Sequence, residues 1–238
     1  TLTPTATSTS TSTSTAISTA TVTSTKTATP TSTPTSTSSP TQANVDVRIG
    51  GILKGTYSIL AKFAQLISYP GFSGGPVQVQ NSNSLPVVSS LRLLYKNVQG
   101  QYTYSELMGV PTSQLSNDYW LPYYKNNTTD TDSQIRFTNT SSTESTTVTV
   151  YLGSNPTPVY TKILAPSSAD RFNLAAGTAN GPVHIVGSNP NAKILAGMRV
   201  IYGGGMSFDE LMAYPTAQLG TEYWFPFYNH NNVNLDSE

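Results

Sequence analysis

The chain has 238 residues, 37% of them hydrophobic and 10% charged, enough for about one and a half domains of ordinary size. Twelve basic residues balance twelve acidic ones, so there is no net field to draw nucleic acid or an anionic membrane surface. Cysteine is absent, which excludes disulfides, thiolate metal sites and a cysteine nucleophile, and no apolar run approaches the ~18 residues that span a bilayer. The basic-then-apolar opening of an export leader is also missing, so any such leader is expected to have been removed or to lie outside this sequence.

Residues 1–43 form a segment of their own. Of the first 40 residues 28 are Thr or Ser, the only charge is Lys26, and every Tyr, Phe and Trp lies beyond residue 56. Such a stretch cannot bury enough apolar surface to offset its ordering entropy. Every odd position from Thr1 to Thr37 is Thr, except Ile17. A period of two is the side-chain period of a β-strand, and Thr is β-branched, so an extended conformation lines these side chains along one face. Pro4, Pro30, Pro34 and Pro40 restrict pairing near them. Between them Thr5, Thr7, Thr9, Thr11, Thr13, Thr15, Ile17, Thr19, Thr21, Thr23, Thr25, Thr27 and Thr29 form a proline-free run on the order of 80 Å long when extended. Two expectations follow: an O-glycosylated solvated stalk, and an assembly arm that docks on a partner.

From residue 44 onward the pattern is one of short strands. Val45, Val47 and Ile49 alternate with polar residues, followed by strand candidates at 56–60, 65–69, 77–80, 87–95 and 119–124, with Gly, Pro, Asn and Ser between them. A single helical turn is expected at Glu106-Leu107-Met108, with Ser105 as its N-cap. The series then starts again. Val148, Val150 and Leu152 alternate as the first strand does. Gly75-Pro76-Val77 recurs as Gly181-Pro182-Val183, and Arg92 to Tyr95 as Arg199 to Tyr202. Ser105-Glu106-Leu107-Met108 recurs as Asp209-Glu210-Leu211-Met212, and Pro111-Thr112-Ser113-Gln114-Leu115 as Pro215-Thr216-Ala217-Gln218-Leu219. Tyr119-Trp120-Leu121-Pro122-Tyr123-Tyr124 recurs as Tyr223-Trp224-Phe225-Pro226-Phe227-Tyr228. Two copies of one domain are therefore expected, over 44–140 and 141–238. The expected class is all-β: two tandem Ig-like β-sandwich domains preceded by the extended Thr/Ser-rich arm.

The Tyr-Trp-x-Pro-x-Tyr motif, the Asn-rich loop after it and Gln134-Ile135-Arg136-Phe137 resemble a repeat in exported surface proteins of filamentous, Chloroflexi-type bacteria. Ser68-Tyr69-Pro70-Gly71 leading into Gly75-Pro76-Val77-Gln78-Val79 is similar to the same repeat. Those proteins also join such repeats to Thr/Pro/Ser-rich spacers, so the likeness covers nearly the whole chain. The resemblance implies a surface-exposed structural or adhesive role and brings no catalytic residues with it.

The second copy reaches Asn234-Leu235-Asp236-Ser237-Glu238, the point at which the first leads into Ile135-Arg136-Phe137. One of the copies is thus expected to be a strand short. The arm or another extended segment of a neighbouring copy would fill the gap by β-augmentation and join subunits head to tail; a strand encoded further along would fill it otherwise.

Candidate sites are few. Gly71-Phe72-Ser73-Gly74-Gly75 fits a nucleophile-elbow pattern, but a strand follows it where a helix is required, and Ala179 stands where the second copy would need the serine. His184 alternates with Val183 and Ile185 and is expected on an outward strand face, while His230 sits in an Asn-rich loop, so no metal-ligand spacing arises. Asn126, Asn127, Asp130 and Asp132, echoed by Asn231, Asn232, Asn234 and Asp236, offer oxygens to Ca²⁺, with Asx turns the commoner reading. Asn126, Asn127 and Asn139 begin Asn-x-Ser/Thr triplets, candidate N-glycosylation sites. Trp120 and Trp224 are candidate glycan-stacking residues, although burial of these aromatic strands against the opposite sheet and the 106–108 turn is the stronger expectation. Arg92 with Glu106, and Arg199 with Glu210, are expected to pair.

The expected function is that of a non-enzymatic extracellular or cell-surface structural protein, a subunit of a filament or layer built by strand or arm exchange. Its partners are copies of itself, with covalent glycans on the arm, no cofactor, no nucleic acid and no membrane span. A carbohydrate-binding or adhesive module is the alternative.

Overall fold

A computed structural model describes residues 42–127, 129–226 and 228. Residues 1–41, and with them the whole predicted assembly arm, lie outside the described residues, as do Phe227 and His230 with the Asn-rich loop around it.

The described chain is almost wholly β. Its strands are β1 (Gln42–Ile49), β2 (Ile52–Leu60), β3 (Val77–Asn81), β4 (Ser90–Lys96), β5 (Tyr102–Met108), β6 (Asp118–Leu121), β7 (Tyr124–Asn126) and β8 (Thr131–Asn139). They continue as β9 (Thr146–Leu152), β10 (Tyr160–Leu164), β11 (Ala169–Phe172), β12 (Thr178–Asn180), β13 (Val183–Gly187), β14 (Ile194–Tyr202), β15 (Ser207–Met212) and β16 (Tyr214–Pro215). Two single 3₁₀ turns, Thr112–Gln114 and Thr216–Gln218, follow Pro111 and Pro215. Every pairing between strands is antiparallel.

The larger part is a sandwich. One sheet has the order β10-β9-β13-β6-β16; the other runs β12-β7-β8-β14-β15, with β11 also on β8. Alternate residues of both sheets meet in one core: Tyr119 and Leu121 of β6, Val148 and Val150 of β9 and Ile185 of β13 face Ile135 and Phe137 of β8 and Met198 and Val200 of β14. The pairings run across residue 140. β6 and β8 come from the end of the first sequence repeat, yet they pair with β13 and β14 of the second.

The strands β1–β5 make a smaller part. β2, β1 and β3 form a three-stranded sheet in that order, and β4 pairs with β5 alone. The apolar cluster here comprises Ala43, Val45 and Val47, with Tyr57, Ile59, Ile67, Tyr69 and Leu85 partly buried around it. The β4–β5 hairpin leans on β15: Ser105 Oγ donates to Asp209 Oδ1 at 2.7 Å, the Glu210 amide donates back to Ser105 Oγ at 3.2 Å, and the Tyr95 and Phe208 rings meet edge to face.

Three expectations about elements need correction. The predicted helical turn at 106–108 is strand β5. Ser105, expected as its cap, faces inward to β15, and Glu106 stands opposite Arg92 in a cross-strand pair. The predicted strand at 65–69 does not form. β11, at the comparable place in the second repeat, pairs with β8, and residues 65–69 have no such strand beside them among the described residues. The predicted strand at 119–124 breaks at Pro122, which cannot donate to a ladder, giving β6 and β7 in separate sheets. The break resets the alternation, so Tyr124 is buried and Tyr123 is exposed, the reverse of an unbroken strand.

Candidate functional site

The two parts are built from equivalent strands, and the comparison between them defines the site. β1 pairs with β3 as β9 pairs with β13: Val47 lies opposite Val79 and Val150 opposite Ile185, while Ile49 lies opposite Val77 and Leu152 opposite Val183. The turn entering each pair is closed by the same bond, Gly50 N to Pro76 O at 2.9 Å and Gly153 N to Pro182 O at 2.8 Å. β4 pairs with β5 as β14 pairs with β15, with Arg92 opposite Glu106 and Arg199 opposite Glu210.

The neighbours of these strands differ. In the sandwich, β13 lies between β9 and β6, and β14 lies between β15 and β8. In the smaller part the outer edge of β3 and the outer edge of β4 have no strand among the described residues. The consequence is read in exposure: Val183 and Ile185 are each 0% exposed, whereas their counterparts Val77 and Val79 are 44% and 37% exposed. Leu91, Leu94 and Val88 are open as well. Strands with apolar faces and unpaired backbone edges are templates for association.

The segment after the second 3₁₀ turn has no strand partner among the described residues. Residues 222–225 repeat the sequence of β6 but form no strand. Tyr119 and Leu121 are 1% and 2% exposed, whereas Tyr223, Trp224 and Phe225 are 50%, 86% and 83% exposed. The local turn is already set. Gly220 N donates to Tyr223 Oη at 2.7 Å, as Ser116 N donates to Tyr119 Oη at 3.0 Å.

The candidate stacking residues separate. Trp120 is half-buried, its Nε1 donating to Thr216 Oγ1 at 2.9 Å and its ring stacked on His184 at 3.9 Å. His184 points outward as expected and lies 2.7 Å from Asp118 Oδ1. Trp224 is almost fully open.

The oxygen-rich loop is an Asx turn. Asn127 Oδ1 accepts from the amides of Asp130 and Thr131, Asp132 Oδ1 accepts from Asn173, and the Lys125 ammonium beside Asp130 holds its carboxyl below the ordinary range. Among the described residues no three His, Asp or Glu side chains converge as a metal site. Asn126 and Asn139 are buried; Asn126 Nδ2 donates to Leu174 O, and Asn139 Nδ2 to Glu144 O and Ala165 O, so a glycan on either would displace these bonds. Ser73 lies in an irregular loop between Gly71 and Gly75. A shallow groove of about 360 Å³ beside β16, lined by Val110, Tyr119, Met212 and Tyr214, holds no acid, base or nucleophile pair.

Both expected ion pairs form, in unlike settings. Arg92 and Glu106 meet at 3.1 Å on an open surface, where the Ser90 hydroxyl and then Arg92 hold the Glu106 carboxyl below its usual range. Glu210 is buried and pairs with the half-buried Arg199, and Arg136 of β8 stands 3.5 Å from the same carboxylate. The sequence led to the expectation that one copy is a strand short; among the described residues, β3 and β4 each lack the outer neighbour that their counterparts β13 and β14 have. The exchange of β6 and β8 into the next repeat was the hidden step. Comparison of the chain with protein-family models, curated proteins and solved structures finds no match.

Proposed function

We propose that the protein is a non-enzymatic extracellular structural subunit, two Ig-like sandwich repeats behind a Thr/Ser-rich arm, that assembles into a surface filament or layer by exchanging β-strand segments between copies. One observation carries this reading. The apolar faces of β3 and β4 stand open, whereas those of β13 and β14, which have β6 and β8 beside them, are buried. A strand delivered by another molecule satisfies both the backbone edge and the apolar face. A contact between unlike surfaces of identical subunits propagates as a fibre where its rotation does not close into a ring. Composition supports the location: long Thr/Ser/Pro arms without cysteine suit an exposed, glycan-bearing spacer.

Electron microscopy of the purified chain tests it. Regular fibres or sheets are expected at micromolar concentration, and dispersed monomers at every concentration would sink the reading. A second reading, glycan adhesion, is favoured by the open Trp224 ring alone. Quenching or enhancement of indole fluorescence on titration with oligosaccharides, lost in Trp224→Ala and kept in Trp120→Ala, is what that reading requires.

A further inference from the structure

We propose that residues 222–225 of one copy are the donor strand, and that they enter the next copy antiparallel to β3, with Tyr223 opposite Val79, Trp224 opposite Gln78 and Phe225 opposite Val77. The proposal rests on the strand-exchange reading above and names its two surfaces and their register.

The register is taken from the sandwich. β6 lies on β13 with Tyr119 opposite Ile185, Trp120 opposite His184 and Leu121 opposite Val183. Residues 222–225 match β6 in sequence, Glu for Asp118, Tyr for Tyr119, Trp for Trp120 and Phe for Leu121. β3 matches β13 in its pairing with the strand on its inner side, position by position. An extended peptide added to that edge gains main-chain hydrogen bonds along its length and places alternate side chains, Tyr223 and Phe225, over the exposed Val79 and Val77.

A glycine records the same fit. A Cβ on Gly181 would collide with the Pro122 carbonyl oxygen and lie 3.0 Å from Tyr123 Cα, so the β6–β7 corner rests directly on that glycine. Gly75 holds the corresponding position before β3, and a Cβ there would meet only the Ala169 Cβ at 3.6 Å. The space is kept and the corner is absent. Pro226, which follows residues 222–225 as Pro122 follows β6, is the residue that would fill it.

The occupant is a second copy because the two surfaces do not meet within one chain. After the first 3₁₀ turn, β6 does not return to β1–β5; it pairs with β13 of the part that follows. After the second, residues 222–225 pair with no strand among the described residues, and Tyr223 rests edge to face on Tyr214 of β16. The outer edge of β3 in the same chain is left without a neighbour among the described residues, so donor and acceptor are both open on one molecule.

The absence of cysteine makes a cross-linking test clean. Two full-length single variants, Gln78→Cys and Trp224→Cys, are mixed and oxidised; both positions face outward, as His184 and Trp120 do, so neither disturbs the core. The expected product is a mixed disulfide dimer between positions 78 and 224, at least about fivefold more abundant than with Gln80→Cys, because diagonal partners sit ~7–8 Å apart, beyond disulfide reach. Gly75→Ala is expected to leave the monomer's circular dichroism and melting unchanged while weakening assembly at least about tenfold, since within the chain a methyl group there makes only an ordinary contact with the Ala169 Cβ and its other side faces the incoming corner. Fibres that form while position 78 cross-links to a Thr13→Cys arm and not to position 224 would overturn this proposal and leave strand exchange standing. A Gln78→Cys/Trp224→Cys double variant that closes within single chains at high dilution would overturn the assignment to a second copy. Monomers throughout would remove the proposal and the reading beneath it together.

Discussion

At the scale of single residues, the same side chain does different work in the two repeats because of what stands beside it. Glu106 shares its carboxylate with Ser90 and Arg92 in open solvent, whereas Glu210 is enclosed between Arg199 and Arg136. An exposed pair contributes ~0–1 kcal/mol, but removing one member of a buried pair leaves an uncompensated charge. Glu210→Gln is therefore expected to cost about 3 kcal/mol in urea unfolding and Glu106→Gln far less. Equal losses would mean that β8 does not enclose the second pair. Tyr119 and Tyr124 are held at both ends of their hydroxyls: Tyr119 Oη takes the Ser116 amide and donates to Ile194 O, and Tyr124 Oη takes the Leu174 amide and donates to Ser133 O. Tyr→Phe at either position strands a buried carbonyl and a partly buried amide, an expected loss of ~1–3 kcal/mol. Burial also pushes both phenols above their ordinary value, as it does for Tyr160 and Tyr202. Above pH ~10 the unfolded chain releases these protons while the folded chain retains them, so stability is full below that pH and falls as it rises. Melting temperature followed from pH 8 to 12 should be flat and then decline, more shallowly in Tyr119→Phe.

At the scale of elements, the backbone corner at Pro122 explains most of what the sequence concealed. Gly181→Ala would press a methyl group into the Pro122 carbonyl, and a destabilisation of ~1–3 kcal/mol is expected, measured by chemical denaturation. The alternation of Val45, Val47 and Ile49, and of Val148, Val150 and Leu152, was legible because strand period and burial coincide there. The repeat was legible too, and with it the pairing of Arg92 with Glu106 and of Arg199 with Glu210. β5 was not: Ser-Glu-Leu-Met carries good helix formers behind an N-cap residue, and only the partner strand β4 and the contact with β15 override that propensity. The exchange of β6 and β8 was equally hidden, since self-comparison gives the length of a repeat but not the point at which its strands change sheets. The break at Pro122 fixes that point, because one sheet accepts Tyr119 and Leu121 and the other accepts Tyr124.

At the scale of the whole molecule, burial is unevenly distributed, and the assembly proposed above would even it out. The sandwich buries Tyr119, Tyr124, Phe137 and the aliphatic rows of four strands, while β1–β5 centre on Ala43, Val45 and Val47. At ~25 cal/mol per Å² of apolar surface removed from water, three small side chains give β1–β5 little to set against chain entropy. Two unfolding steps are therefore expected on heating, β1–β5 first. A strand donated by a neighbour binds only the folded form of β1–β5, so it raises that lower transition by mass action. Above the dissociation constant each tenfold rise in protein concentration adds about 1.4 kcal/mol, roughly 6–11 °C for a unit of this size, and leaves the upper transition in place. Calorimetry of the full chain over two decades of concentration reads both transitions at once. A lower transition that stays fixed as concentration rises would show that nothing from a neighbour stabilises β1–β5. The same loss of concentration dependence in Tyr223→Asp, with the upper transition unmoved, would trace the effect to the strand that follows the second 3₁₀ turn.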